Sequence, residues 1–299
     1  MSEQFWFAED GAENLVIRFR ARQRVYGARS RYARIDIIDT VEYGRMLFLD
    51  GIAQSAALDE FIYHESLVHP AMLTHPGPQS VCVIGGAEGG TIREVAKYEA
   101  VRRIVMVDID GELVEVCRRH LPEWSAGAYE DPRLELRIGD GHRYLEESRE
   151  IFDVILVDLG DPTEGSPAAS LFTREFYELV FARLTPQGVA CVQGEDLQPN
   201  RLALHARMVN TISSVFPHVT SYPYLAPSFH SLCAHILASK DLDPRVIDLG
   251  DRLESQPFRL RYLSPAFLPG LFRLPAYVEQ AYDQYREIIT DSSLYFCRP

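Results

Sequence analysis

The apolar positions of this chain keep two rhythms. Over residues 1–68, short apolar runs alternate with polar positions, the period of a strand with one wet face. Strands are predicted at residues 15–19, 34–39 and 45–49, the last two flanking Glu42-Tyr43-Gly44 as a hairpin turn. Asp50-Gly51 turns the chain again into residues 52–55. From residue 59 to 73 the period becomes helical, with Phe61, Leu67, Val68 and Met72 on the inner face.

Residues 69–299 alternate strand and helix. Strand signals fall at residues 81–84, 103–107, 134–138, 153–157 and 188–193. Val81 to Ile84 is apolar throughout, which suits a strand buried on both faces. Between the strands, Ile92, Val95 and Ala96 fall at helical spacing, as do residues 112–120, 176–184 and 201–215. Residues 219–224 and 232–238 would close the sheet as an antiparallel pair. The pattern predicts an α/β fold: a small N-terminal β-domain (residues 1–68), then a doubly wound domain (residues 69–299). Its sheet is mainly parallel, with helices on both faces.

The first strand of that domain runs into Gly85-Gly86-Ala87-Glu88-Gly89-Gly90, a glycine turn opening a helix. Glycine permits positive φ and close approach of a ligand, and a helix start offers free N–H groups. Gly85, Ala87 and Gly90 match a dinucleotide fingerprint only with alanine in the second glycine place. A pyrophosphate also sits poorly beside Glu88. The turn favours a nucleoside bearing a sulfonium or an amine over NAD or FAD; the plainer reading is a tight connection without ligand.

Acids collect where the strands end: Glu88, Asp108, Asp140, Asp158 and Asp161. Ligands in such folds bind beyond those ends. Asp108, about 20 residues past the turn, is placed for ribose hydroxyls. Asp140 with Gly141 can meet an adenine amino group. Asp158 and Asp161 suit a cationic amine, one holding it while the other accepts its proton. The competing reading is a set of turn caps, since Asp161-Pro162 is an ordinary turn pair. Tyr63 and His64 either point at the glycine turn or pack.

Composition narrows the partners. Of 299 residues, 30 are Lys or Arg and 43 Asp or Glu, a net charge of −13 that argues against nucleic acid. Five scattered cysteines without a C-x-x-C pair fit reduced thiols in a cytoplasmic protein. The N-terminus lacks a signal pattern, and no apolar run reaches membrane-spanning length. His64, His69 and His75 invite a metal reading, but histidines five apart lie about 140° apart around a helix. No metal is expected.

Several segments, in order, carry a resemblance. They are Ser30-Arg31-Tyr32, Leu49-Asp50-Gly51, Asp59-Glu60-Phe61-Ile62-Tyr63-His64-Glu65, the Gly85 to Gly90 turn, and Asp140-Gly141. Asp158-Leu159-Gly160-Asp161-Pro162, Leu171-Phe172-Thr173 and Phe176-Tyr177 follow. Together they resemble the polyamine aminopropyltransferases of the spermidine synthase family. The resemblance implies a small N-terminal β-domain, a Rossmann-like, methyltransferase-like catalytic domain, and a homodimer or homotetramer. It implies transfer of an aminopropyl group from decarboxylated S-adenosylmethionine, a co-substrate, to an amine, with 5′-methylthioadenosine leaving and no cofactor. Asp158 then stands as proton acceptor. Tyr63, Asp161 and Phe229 stand at the polyamine. His64, Gly85, Gly86, Glu88, Asp108, Asp140 and Gly141 stand at the donor.

Within the family the details lean to the thermospermine synthase branch. Glu88 replaces the aspartate usual in spermidine synthases. The segment Asp158 to Pro167 is similar to that branch's longer loop, and Phe229 lies where a tyrosine is typical nearby. Ala33 stands where many members have a glutamine touching the nucleoside. Spermidine is the expected acceptor and thermospermine the product. The alternatives are a spermidine synthase using putrescine, agmatine or cadaverine, a methyltransferase, and a non-catalytic polyamine-binding protein.

Overall fold

The computed structural model describes residues 5–12 and 15–296. Among these residues the chain forms two sheets. The first is antiparallel: β1 (Phe5–Ala12), β2 (Leu15–Arg29), β3 (Arg34–Thr40), β4 (Arg45–Leu49) and β5 (Ile52–Ala56), in that order. The second contains β6 (Ser80–Gly85), β7 (Arg103–Asp108), β8 (Leu134–Ile138), β9 (Phe152–Asp158), β10 (Leu184–Asp196), β11 (His218–Ala226) and β12 (Ser231–Ser239). Its spatial order is β11-β12-β10-β9-β6-β7-β8. Strands β6 to β10 are parallel; β12 and β11 run antiparallel at the edge. The helices are α1 (Glu60–Thr74), α2 (Gly90–Ala96), α3 (Gly111–His120), α4 (Pro122–Ser125), α5 (Gly141–Glu147), α6 (Arg174–Ala182), α7 (Leu202–Ser213), α8 (Leu249–Glu254) and α9 (Ala276–Gln284).

The apolar runs bury both faces of the second sheet. Val81, Val83, Met106, Leu156 and Cys191 point into one core with α1 to α4. Their neighbours Cys82, Ile84, Val107, Val157 and Val192 point into the other with α5 to α7. The period of two therefore sorts side chains between two apolar layers rather than between core and water. Ile35, Ile37 and Leu47 of the first sheet join the former core, while Ile38, Met46 and Phe48 form a core of their own. The two sheets are thus joined by packing.

Some segments differ from the sequence reading. Strand β1 was not expected, since the first strand was placed at residues 15–19. Strand β2 runs on to Arg29: its alternating arginines, Arg18, Arg20, Arg22 and Arg24, lie along the wet face of a paired strand. The helix expected at residues 176–184 is α6, and Leu184 already begins β10. The division after residue 68 falls inside α1, which is unbroken from Glu60 to Thr74. Cys297 lies outside the described residues. The C-terminal segment packs on its own chain: α9 buries Val278 and Ala281, and Asn210 Nδ2 donates to the carbonyls of Tyr282 and Tyr285.

At the end of β6 the backbone of Gly85 meets that of Asp158 on β9. Gly85 has φ +84°, and a Cβ there would stand 2.0 Å from the Asp158 carbonyl oxygen. Gly85→Ala should therefore cost about 2 to 3 kcal/mol, from overpacking plus a strained φ. Denaturant unfolding measures this, and an unchanged midpoint would contradict the close strand contact.

Candidate active site

Strand order reverses between β6 and β9, so the loops leaving them diverge and open a crevice. A cleft of about 420 Å³ lies there, between the C-terminal ends of the parallel strands and the first sheet. Gly85, Gly86, Glu88, Asp108, Asp140, Gly141, Asp158, Asp161, Tyr63 and Phe229 all line it. A larger hollow of about 570 Å³ lies against α1 and α2, but none of those residues line it. Its Arg93 and Lys97 are held by Glu60 and Glu94.

One end of the cleft is shaped for hydroxyl and amino donors. Asp108 is buried, and its Oδ1 accepts the N–H of Asp110 at 2.8 Å. Burial pushes its carboxyl up to about 6, against the pull of that N–H. Asp110 caps α3 and accepts from Ser30 Oγ. Asp140 caps α5 through the N–H groups of His142 and Arg143. Both the cap role and the cleft position of Asp140 are therefore real; one carboxylate serves both.

Glu88 occupies the middle of the wall and is held from behind. Ser55 Oγ donates to its Oε1 at 2.8 Å and in turn accepts from Trp124 Nε1 at 3.0 Å. His64 does not line the cleft. It is buried behind Glu88, with Nε2 3.6 Å from Glu88 Oε2 and Nδ1 2.7 Å from Glu60 Oε2. Arg93 closes the row with a bidentate bond to Glu60, both distances 3.0 Å. There is no room for a larger neighbour, because a Cβ on Gly90 would meet the His64 ring at 2.5 Å. Burial alone would lower the imidazole pKa, but Glu60 and then Glu88 raise it above its ordinary value. Burial pushes Glu88 up to about 7, with the His64 charge and the Ser55 hydroxyl opposing.

At the β9 end, Asp158 is fixed by two hydroxyls. Tyr63 donates to Oδ1 and Thr91 to Oδ2, both at 2.5 Å. Burial, then the Asp158 charge, holds the Tyr63 phenol well above its ordinary pKa, so it remains a donor. Tyr63 thus grips Asp158 rather than standing free for a ligand. Its ring packs edge-on against Tyr224, Phe229 and His235. The loop carrying Phe229 is tied to the start of α1: Asp59 accepts from Ser228 N at 2.7 Å and Ser228 Oγ at 2.8 Å. Asp161 faces open cleft solvent, yet its surroundings still raise its carboxyl through desolvation, opposed by the Gln193 amide at 3.1 Å.

Sequence reasoning missed Ser55, Thr91, Gln193, Glu195, Asp196 and Glu9. All but Thr91 and Ser55 line the same cleft, and these two act one bond behind it. Gln193, Glu195 and Asp196 had a signal: they are the last residue of the expected fifth parallel strand and two residues just past it, where ligands bind. Thr91 and Ser55 had none, because their partners are distant in sequence. The other histidines also have local partners: His69 bonds Glu94 and Tyr98, and His75 lies 3.6 Å from Asp153.

Comparison with known proteins agrees with this geometry. Residues 60–247 match the spermine/spermidine synthase domain, and residues 5–56 match the spermidine synthase tetramerisation domain. The latter supports assembly into an oligomer. The chain is 45% identical to polyamine aminopropyltransferase 2 of Pseudomonas aeruginosa, over 85% of this chain and 74% of that protein. It is 38% identical to the polyamine aminopropyltransferase of Aeropyrum pernix, over 97% and 92%. A spermidine synthase solved with the transition-state analogue AdoDATO superposes with a TM-score of 0.88 at 31% identity, covering 95% of this chain and 98% of that one. The spermidine synthase of Thermotoga maritima gives 0.88 at 30%, covering 95% and 97%. No helix among the described residues is long and apolar enough to cross a membrane. The chain therefore belongs to the spermine/spermidine synthase family of polyamine aminopropyltransferases.

Proposed function

We propose that the donor is decarboxylated S-adenosylmethionine, that the acceptor is spermidine, and that the product is thermospermine. The reading includes a homodimer or homotetramer and needs no metal or other cofactor. The observation that carries it is Asp158, fixed by Tyr63 and Thr91 between the glycine turn and the acidic far wall. The nucleoside lies along Asp108 and Asp140, and Glu88 holds the positive aminopropyl arm. His64 acts from behind by fixing Glu88.

The acceptor nitrogen attacks the aminopropyl carbon bonded to the sulfonium. The new C–N bond forms as the C–S bond breaks, and its electron pair returns to sulfur, leaving neutral 5′-methylthioadenosine. The proton lost by nitrogen goes to Asp158. An alkylamine with a pKa of roughly 10.4 costs on the order of 4 to 5 kcal/mol to deprotonate at pH 7. Asp158 lowers the barrier by accepting that proton as attack proceeds, and alignment of the two cations supplies the rest. Spermidine is favoured over putrescine because the cleft continues past Asp158 to Asp161, Glu195 and Asp196. A third ammonium meets carboxylates there, where a diamine would leave part of the wall unmatched.

Offered putrescine, spermidine, agmatine and cadaverine together, the enzyme should consume spermidine first. Chromatography with fragment masses would identify thermospermine; preferential use of putrescine would reverse the acceptor assignment.

Asp158→Asn keeps one oxygen to accept from a hydroxyl, and the other hydroxyl can rotate to accept from the new NH2 group, so fold and 5′-methylthioadenosine affinity should persist. kcat should fall about 10²- to 10⁴-fold, and undiminished turnover would remove Asp158 from its role.

A pH effect follows from Glu88. Its folded pKa, about 7, lies above its ordinary 4.5, so the folded protein binds the proton more tightly than the unfolded chain. Glu88 therefore costs stability as pH rises through that window, and a bound cation removes the cost. Binding the cationic donor should release a proton near neutrality and tighten between pH 6 and pH 8. Neutral 5′-methylthioadenosine should show a weaker dependence. Calorimetry in buffers of different ionisation enthalpy reads the proton count, and Glu88→Gln should abolish it.

A further inference from the structure

Both carboxylate oxygens of Glu88 are held from behind, and both supports lead to one side chain. From Oε2 the row runs through His64 to Glu60, which accepts two N–H groups of Arg93. From Oε1 it runs through Ser55 Oγ to the indole N–H of Trp124. Arg93 Nη1 also donates to the main-chain carbonyl of that same Trp124, at 2.7 Å. The two rows therefore close into a circuit of Arg93, Glu60, His64, Glu88, Ser55 and Trp124. Its members come from α2, α1, the glycine turn, β5 and α4.

The circuit crosses the wall between two cavities. Glu88 lines the cleft, whereas Glu60, Arg93 and Trp124 line the hollow against α1 and α2. Ser55, His64 and Trp124 are buried, so water does not stand in for a lost partner there. Arg93 suits the junction because a guanidinium is a rigid fork with several donors. It makes two bonds to Glu60, one to Trp124 and one, from Nε, to Glu94 at 2.8 Å. Helix α4 is a single turn, so the bond to its carbonyl fixes where the indole starts. Without the fork, Glu60 is free to turn from His64 and Trp124 to release Ser55. Each oxygen of Glu88 then loses its support.

We propose that Arg93 is a positioning residue for the donor: from across the wall it aims both oxygens of Glu88, and so sets the grip on the positive aminopropyl arm. This rests on the reading of Glu88 given above. A neutral nucleoside does not use that grip and is indifferent to Arg93.

Arg93→Lys tests it, because lysine keeps the charge and loses the fork. KM for decarboxylated S-adenosylmethionine should rise about 10- to 100-fold, with kcat less affected. Affinity for 5′-methylthioadenosine, and KM for spermidine at saturating donor, should stay as in the unaltered protein. Trp124→Phe removes one N–H from the circuit and should raise the donor KM by a smaller factor; it carries the test if Arg93→Lys does not fold. In a Glu88→Gln background neither substitution should weaken the donor further, because the charge they aim is gone. An unchanged donor KM, an equal loss of 5′-methylthioadenosine affinity, or the full effect persisting beside Glu88→Gln would each overturn the proposal. If the unaltered protein transfers aminopropyl to no amine, the functional reading fails and this inference with it. If it does so and both variants match it with the donor, only this inference fails.

Discussion

The site depends on two backbones touching where the sheet changes direction. Gly86 N–H donates to the Asp158 carbonyl at 3.0 Å, and the missing side chain of Gly85 lets the strands approach that far. This contact decides where Asp158 starts, and its carboxylate then needs only Tyr63 and Thr91 to be aimed. Asp158 is thereby set on two strands and a helix start rather than on a flexible loop.

The cleft gathers many carboxylates, and the fold offsets only some of them. Behind Glu88, His64, Glu60 and Arg93 alternate in sign, so a buried acid is answered by a buried base. In front, Asp108, Glu88 and Asp161 have raised pKa values, each chiefly from desolvation. Like charges held together in a half-dry cleft oppose folding until a cation arrives. The same arrangement selects against anionic or neutral ligands, which cannot remove that opposition.

The sequence was most informative where burial is regular. Val81 to Ile84 and the related strands are apolar on both faces, so their type and order could be read directly. The acids at strand ends were legible because topology alone sends those ends to one edge. Helix α1 was harder. It buries Glu60, His64, Glu65, Ser66, His69 and Thr74 along with its apolar residues. Their partners are far away: Glu65 accepts the N–H groups of Arg261, Tyr262 and Leu263. No local pattern announces such a bond, so His64 read as a cleft residue although it stands behind one.

Asp59 sits at the N-cap of α1 but makes no cap bond there; its carboxylate is taken by Ser228. The helix forgoes a local stabilisation and instead anchors the chain beside Phe229. Tyr63, one turn along the same helix, and Phe229 are therefore spaced when α1 docks, 6.4 Å between ring centroids. The slot they frame is set before any ligand enters. An arriving guest loses its own freedom but does not have to freeze the walls, so more of its contact energy remains as affinity.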